Sequence, residues 1–96
     1  MNLVQYLNKG IMAITQTTVD LKWTAAADNV AVTNYKVYRK IPRVLNPSFI
    51  ADVGNVLSYT VINLTPDTEY DFIIRAEDAA GNISDDSNIV NTKTLI

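Results

Sequence analysis

The sequence predicts an all-β sandwich of about seven antiparallel strands in two sheets. Three observations carry this. Short runs in which apolar and polar residues alternate recur along the chain, and no long segment repeats apolar residues at the helical spacing. β-branched and aromatic residues crowd those runs. Gly, Asn, Asp and Pro clusters separate them at the spacing expected of a sandwich.

Taken in order, residues 3–7 form the first run and Asn8-Lys9-Gly10 the first turn, with residues 11–14 continuing the same edge strand. Residues 18–24 form a half-buried strand. Val19, Leu21 and Trp23 face one way, and Thr18, Asp20, Lys22 and Thr24 the other. After a loop centred on Asp28-Asn29, residues 34–40 form a strand with Tyr35, Val37 and Arg39 on one face. Two prolines keep residues 41–47 out of any central strand. Short strands follow at 48–53 and 56–62, with Gly54-Asn55 between them.

Residues 63–68 read as a corner. Residues 69–77 give the clearest strand, with Tyr70, Phe72, Ile74 and Ala76 inward and Asp71, Ile73, Arg75 and Glu77 outward. A polar loop over 78–86 contains Gly81-Asn82, and a last strand is expected over 88–95. The predicted core is Trp23, Tyr35, Val37, Leu64, Tyr70, Phe72 and Ile74. Ninety-six residues make one ordinary domain, so residues 1–96 are expected to share a single core. Residues 1–10 are a candidate N-terminal docking strand.

Composition removes several function classes. The chain has neither Cys nor His, so disulfides are excluded, as are the usual zinc ligands, the thiol nucleophile and the commonest general base. Ten acidic and eight basic residues give a net charge of −2, too weak a field to favour nucleic acid. No apolar stretch is long enough to span a membrane, and residues 1–14 lack the basic-then-apolar order of a signal peptide. No spacing of Ser, Lys or carboxylates nominates a catalytic site. The expectation is a contact protein with no enzymatic activity and no cofactor.

Several segments resemble one family. Leu64-Thr65-Pro66-Asp67-Thr68-Glu69-Tyr70 resembles the E–F corner of fibronectin type III domains, whose tyrosine hydroxyl bonds back to the corner's backbone. Trp23 stands where that family keeps a core tryptophan, and Tyr35-Lys36-Val37-Tyr38 resembles its strand C. The resemblance implies an immunoglobulin-like sandwich over residues 11–96. The stretch Asp28-Asn-Val-Ala-Val-Thr-Asn-Tyr-Lys-Val-Tyr38, with Asp78-Ala-Ala-Gly-Asn-Ile-Ser84, is similar to the family's bacterial and bacteriophage branch. Such modules lie between domains of secreted polysaccharide-degrading enzymes and also occur in virion proteins. Two departures are visible: the proline-containing lead-in to strand A is missing, and the 41–47 connection is long.

Candidate sites follow from the family's loop placement. Asp28, Asp78, Asp85 and Asp86 fall in loops that meet at one end of such a fold. They read first as solvated turn formers and second as a weak Ca²⁺ site, since no dense calcium-loop spacing is present. Arg39, Lys40 and Arg43, with Tyr38, are candidate contact residues toward an acidic protein partner. Tyr6, Tyr38 and Tyr59 are the scattered candidates for stacking on a surface glycan.

With Met1 read as the native start, an apolar first strand predicts a complete small protein. The leading functional expectation is then a bacteriophage virion component, such as a capsid decoration or tail part displayed on the virion surface. The alternative is a spacer or accessory carbohydrate-contact module of a secreted bacterial polysaccharide-degrading enzyme.

Overall fold

A computed structural model describes residues 13–24, 32–84 and 86–96. The expected strand over residues 3–7 therefore lies outside the described residues, as do the candidate docking strand over 1–10, Tyr6, Asp28 and Asp85.

Six strands are formed among the described residues: β1 (Val19–Lys22), β2 (Val32–Lys40), β3 (Ser48–Gly54), β4 (Ser58–Val61), β5 (Glu69–Asp78) and β6 (Val90–Lys93). They make two antiparallel sheets. β1 pairs with β4, and the other four lie in the order β3-β2-β5-β6. No helix among the described residues is long and apolar enough to cross a membrane.

The core lies between the sheets and follows the period of two along each strand. Val19, Leu21, Trp23 and Val61 face it from the smaller sheet. Tyr35, Val37, Tyr70, Phe72, Ile74, Ala76 and Val90 face it from the larger. The Trp23 ring meets Tyr35 at 5.7 Å between centroids, tilted by 54°. Its indole nitrogen is buried without a hydrogen-bond partner among the described residues, so the ring is held by packing. Leu64 is only partly buried, packing on the core's margin.

The structure departs from the sequence pattern at three places. Ile73 was expected to face outward; it alternates away from Phe72 and Ile74, yet it is fully buried. Its register partner on β2 is Tyr38, whose ring is covered by Arg75, so that face carries a small packed layer of its own.

The last strand is shorter than expected, with β6 pairing β5 only from Glu69–Lys93 to Phe72–Val90. Farther along, the edge of β5 is met by serine hydroxyls. Ser87 Oγ accepts from the Ile74 N–H at 2.8 Å, and Ser84 Oγ accepts from the Ala76 N–H at 2.9 Å. The Ser87 and Ser84 N–H groups return bonds to the same two residues' carbonyls. Side-chain bonds satisfy the backbone there without a regular ladder.

Edge strand β3 is interrupted twice. Its register with β2 slips between Tyr35 and Lys36 and again between Val37 and Tyr38, leaving Val53 and Ile50 as extra residues. Both pack against the core. Bulges of this kind twist an edge and blunt it against pairing with a further strand.

Candidate functional site

Several hydrogen bonds converge on the corner between β4 and β5. Tyr70 leaves the corner at the start of β5, and its hydroxyl accepts the Thr65 N–H at 2.9 Å. That bond, to a charge-tolerant oxygen, holds the phenol's pKa below its ordinary value against the opposing effect of burial. Asn63 and Asp67 adopt positive φ of 60° and 53°, a conformation that Asn and Asp tolerate better than most residues. Thr94, which sequence reading did not single out, ties the C-terminal segment to this corner. Its hydroxyl donates to the Thr65 carbonyl at 2.6 Å and accepts from the Thr68 N–H at 3.0 Å. The available signal was its inward phase with Val90 and Thr92.

The candidate basic group does not act as one unit. Arg39 takes the inward phase of β2, as its alternation with Tyr35 and Val37 requires. Its guanidinium carbon sits 4.3 Å from the centroid of Tyr70, and Tyr70 in turn stacks on Phe72 at 5.9 Å. The Arg39 Nε is buried and without a partner among the described residues. The pleat turns Arg39 onto the corner tyrosine. Lys40 takes the opposite phase, beside Asp71 in the register. Arg43 is exposed at the turn of the 41–47 loop, with φ 66°. Arg39, Lys40, Pro42, Glu69, Tyr70, Asp71 and Asn91 line a small cleft of about 50 Å³, close to the volume of a water molecule or two.

On the outer face of the larger sheet, Tyr38 meets Phe49 edge to face, 5.6 Å between centroids. The Arg75 guanidinium covers the Tyr38 ring at 4.5 Å and binds Asp86 at 2.6 Å. Lys36 reaches Asp52 at 2.7 Å and lies 5.4 Å from the Phe49 centroid. Asn34 Nδ2 donates to both Asp52 and Glu77. The bond to Lys36, helped by Asn34, holds the Asp52 carboxyl below the usual range, and the same bond raises Lys36. The cation over Tyr38 and the phenyl beside it occupy ring surface that a stacked sugar would use. Tyr59, on the other sheet, is half-buried against the core.

The acidic candidates are also separated by their partners. The Asp78 carboxylate accepts from the Ala80 N–H at 3.0 Å, the Asn82 N–H at 2.8 Å and the Asn82 side chain at 3.0 Å. These bonds, the Asn82 side chain first, keep its pKa low and close the loop after β5. Asp86 is engaged by Arg75. Among the described residues no three metal-ligating side chains gather to hold an ion.

The comparisons with known proteins agree with this geometry. Chitinase A1 of Niallia circulans is 40% identical over 87 residues, covering 91% of this chain and 11% of its own length. Exoglucanase A of Cellulomonas fimi is 51% identical over 70 residues, covering 73% of this chain and 7% of its own. The chain thus spans a small part of the curated relatives it matches.

Among solved structures, the fibronectin type III domain of human fibronectin type III domain containing protein 3 superposes with a TM-score of 0.79 at 22% identity, over 98% of this chain and 84% of that one. Chitinase ChiA74 from Bacillus thuringiensis gives 0.72 at 32% identity, over 97% of this chain and 14% of that one. The chitinase and exoglucanase relatives are bacterial enzymes, so the virion expectation drawn from the sequence finds no support, whereas its enzyme-module alternative does. The family model for the fibronectin type III domain matches residues 8–93. With two antiparallel sheets and a tyrosine bonded back across the β4–β5 corner, the chain belongs to the fibronectin type III family.

Proposed function

We propose that this chain is a non-catalytic spacer module of a secreted bacterial polysaccharide-degrading enzyme, joined to the domains that bind and cleave the polymer. The observation that carries this reading is the pattern of resemblance: most of this chain matches a small part of a chitinase and of an exoglucanase. The chemistry is consistent with it. His and Cys are lacking, and the buried serine hydroxyls of Ser84 and Ser87 are engaged by backbone N–H groups. The covered ring of Tyr38 favours the spacer over a carbohydrate-contact role. The rigid sandwich sets a separation between neighbouring domains, and its location follows that of the parent enzyme, outside the cell.

Reading the gene that encodes this chain tests the proposal. A glycoside hydrolase domain in the same reading frame is the expected result. A frame that holds no such domain and lies among capsid or tail genes would overturn it.

A further inference from the structure

Among the described residues, Arg43 is the only lysine or arginine that stands outside a strand. Lys22, Lys36, Arg39, Lys40, Arg75 and Lys93 all lie within strands. The guanidinium groups of Arg39 and Arg75 rest on tyrosine rings, and Lys36 and Lys93 hold carboxylates. Arg43 is exposed, with neither a ring nor a carboxylate partner among the described residues.

The backbone around Arg43 is held lightly. Residues 42–46 are all exposed, Leu45 to 92%. Among the described residues one backbone bond lies within this segment, from the Val44 N–H to the Ile41 carbonyl at 3.1 Å. Arg43 also carries a φ of 66°, a left-handed conformation that a residue with a Cβ adopts at a cost. Opening the turn into an extended peptide therefore gives up one hydrogen bond and releases that cost. Exposed loop tips are the preferred places for proteolytic nicking, and an extended peptide is the form that a groove aligns by main-chain bonds.

The other exposed basic residues are followed by pinned ones. After Lys22 comes Trp23, buried and bonded through its N–H to the Leu57 carbonyl. After Lys93 comes Thr94, buried and bonded to Thr65 and Thr68. Lys40 is half-buried and pairs with Asp71 of β5.

We propose that the Arg43–Val44 peptide bond is a cleavage site for trypsin-class endoproteases, whose primary pocket carries a carboxylate for the arginine. Water adds across the bond: its hydroxyl goes to the Arg43 carbonyl carbon and its hydrogen to the Val44 nitrogen. A new carboxylate and a new ammonium result.

The cut leaves one folded body. The piece that ends at Arg43 carries β1 and β2, and the piece that begins at Val44 carries β3 to β6. β1 pairs with β4, and β2 pairs with both β3 and β5, so each sheet is built from both pieces. The core is shared as well, with Trp23 and Tyr35 from the first piece against Phe72 and Ile74 from the second. Cleavage thus turns a covalent junction into one held by packing and strand pairing. The thermal midpoint of the nicked form should rise with protein concentration, as for any fold made of two chains. The site is independent of the spacer reading.

Brief digestion of the folded chain with trypsin, followed by intact-mass analysis, tests this. Over residues 13–96 the first cut is expected after Arg43. The two pieces should elute together from a sizing column at the volume of the uncut chain. Arg43→Gln should lose this cut and keep residues 13–96 whole for the time that consumes the parent, and Arg43→Lys should restore it. Arg43 is exposed, so both variants keep the fold.

A first cut after Lys40 or any other basic residue of that stretch would overturn the site, as would an Arg43→Gln variant consumed as fast as the parent. Simultaneous cuts within β2 and β5 would show that cleavage waits for global unfolding and would also overturn it. Pieces that separate on the column would overturn the single folded product.

Discussion

The Arg39 guanidinium lies over the ring of Tyr70, 4.3 Å from its centroid, while the hydroxyl of that same ring accepts the Thr65 N–H at 2.9 Å. One residue thus fastens β2 to the β4–β5 corner through its face and the corner to itself through its oxygen.

The two attachments separate by substitution. Tyr70→Phe keeps the ring under Arg39 and removes the acceptor from Thr65, which should cost about 1–3 kcal/mol in urea unfolding. Arg39→Met keeps the hydrogen bond and removes the cation, which should cost about 0.5–2 kcal/mol. Because the two side chains touch, the double variant should depart from the sum, and the departure measures their coupling. A Tyr70→Phe variant as stable as the parent would contradict the assignment.

The serine-held edge of β5 makes a second prediction. Ser87→Ala removes the hydroxyl that accepts from the Ile74 N–H, and Ser84→Ala removes the one that accepts from the Ala76 N–H. Each should destabilise by about 1–3 kcal/mol, a large effect for a change of one oxygen atom. Hydrogen exchange should speed up at Ile74 in the first variant and at Ala76 in the second, with little change at Phe72, whose neighbourhood is held by the regular β6 ladder.

At Arg43 the positive φ of 66° makes glycine the better backbone choice. Arg43→Gly should raise the thermal midpoint of the isolated chain, by about 1 kcal/mol of added stability. A loss of stability on that change would show that the arginine side chain supports the fold.

Acid should weaken the domain through carboxylates that are hydrogen-bonded when folded. Asp78 and Asp52 both have folded pKa values below their unfolded ones. Their contribution is therefore fully present above the unfolded value, about 3.9, and is lost as pH falls through the lower folded values. A thermal midpoint that holds from neutral pH to about 5 and declines below about 4 is expected. Asp78→Asn should flatten part of that decline. An unchanged acid limb in the variant would remove Asp78 from the explanation.

Much of this architecture was legible in the sequence because burial between two sheets imposes a period of two. Val19, Leu21 and Trp23, and then Tyr70, Phe72, Ile74 and Ala76, announce an inner face directly. The Leu64–Tyr70 segment announced its corner through residue types that only that turn and bond require.

Other features depend on partners that lie far away in the chain. Ile73 shows the outward phase and is nevertheless buried; its register partner Tyr38, covered by Arg75, lies on another strand. The bulges at Ile50 and Val53 are set by the register of two strands, which neither strand's pattern contains. The seat of the Arg39 guanidinium over Tyr70 depends likewise on a residue of another strand. Serines at 84 and 87 look like loop residues until the β5 edge they satisfy is seen.

The claim that the module works as a spacer, without grasping the polymer itself, is tested most directly by cosedimentation of the chain with insoluble chitin and cellulose. The Arg75-covered Tyr38 and the core-packed Tyr59 predict that the protein stays in the supernatant with both polymers. Retention on either one, abolished by Tyr38→Ala in a variant that remains folded, would contradict the account.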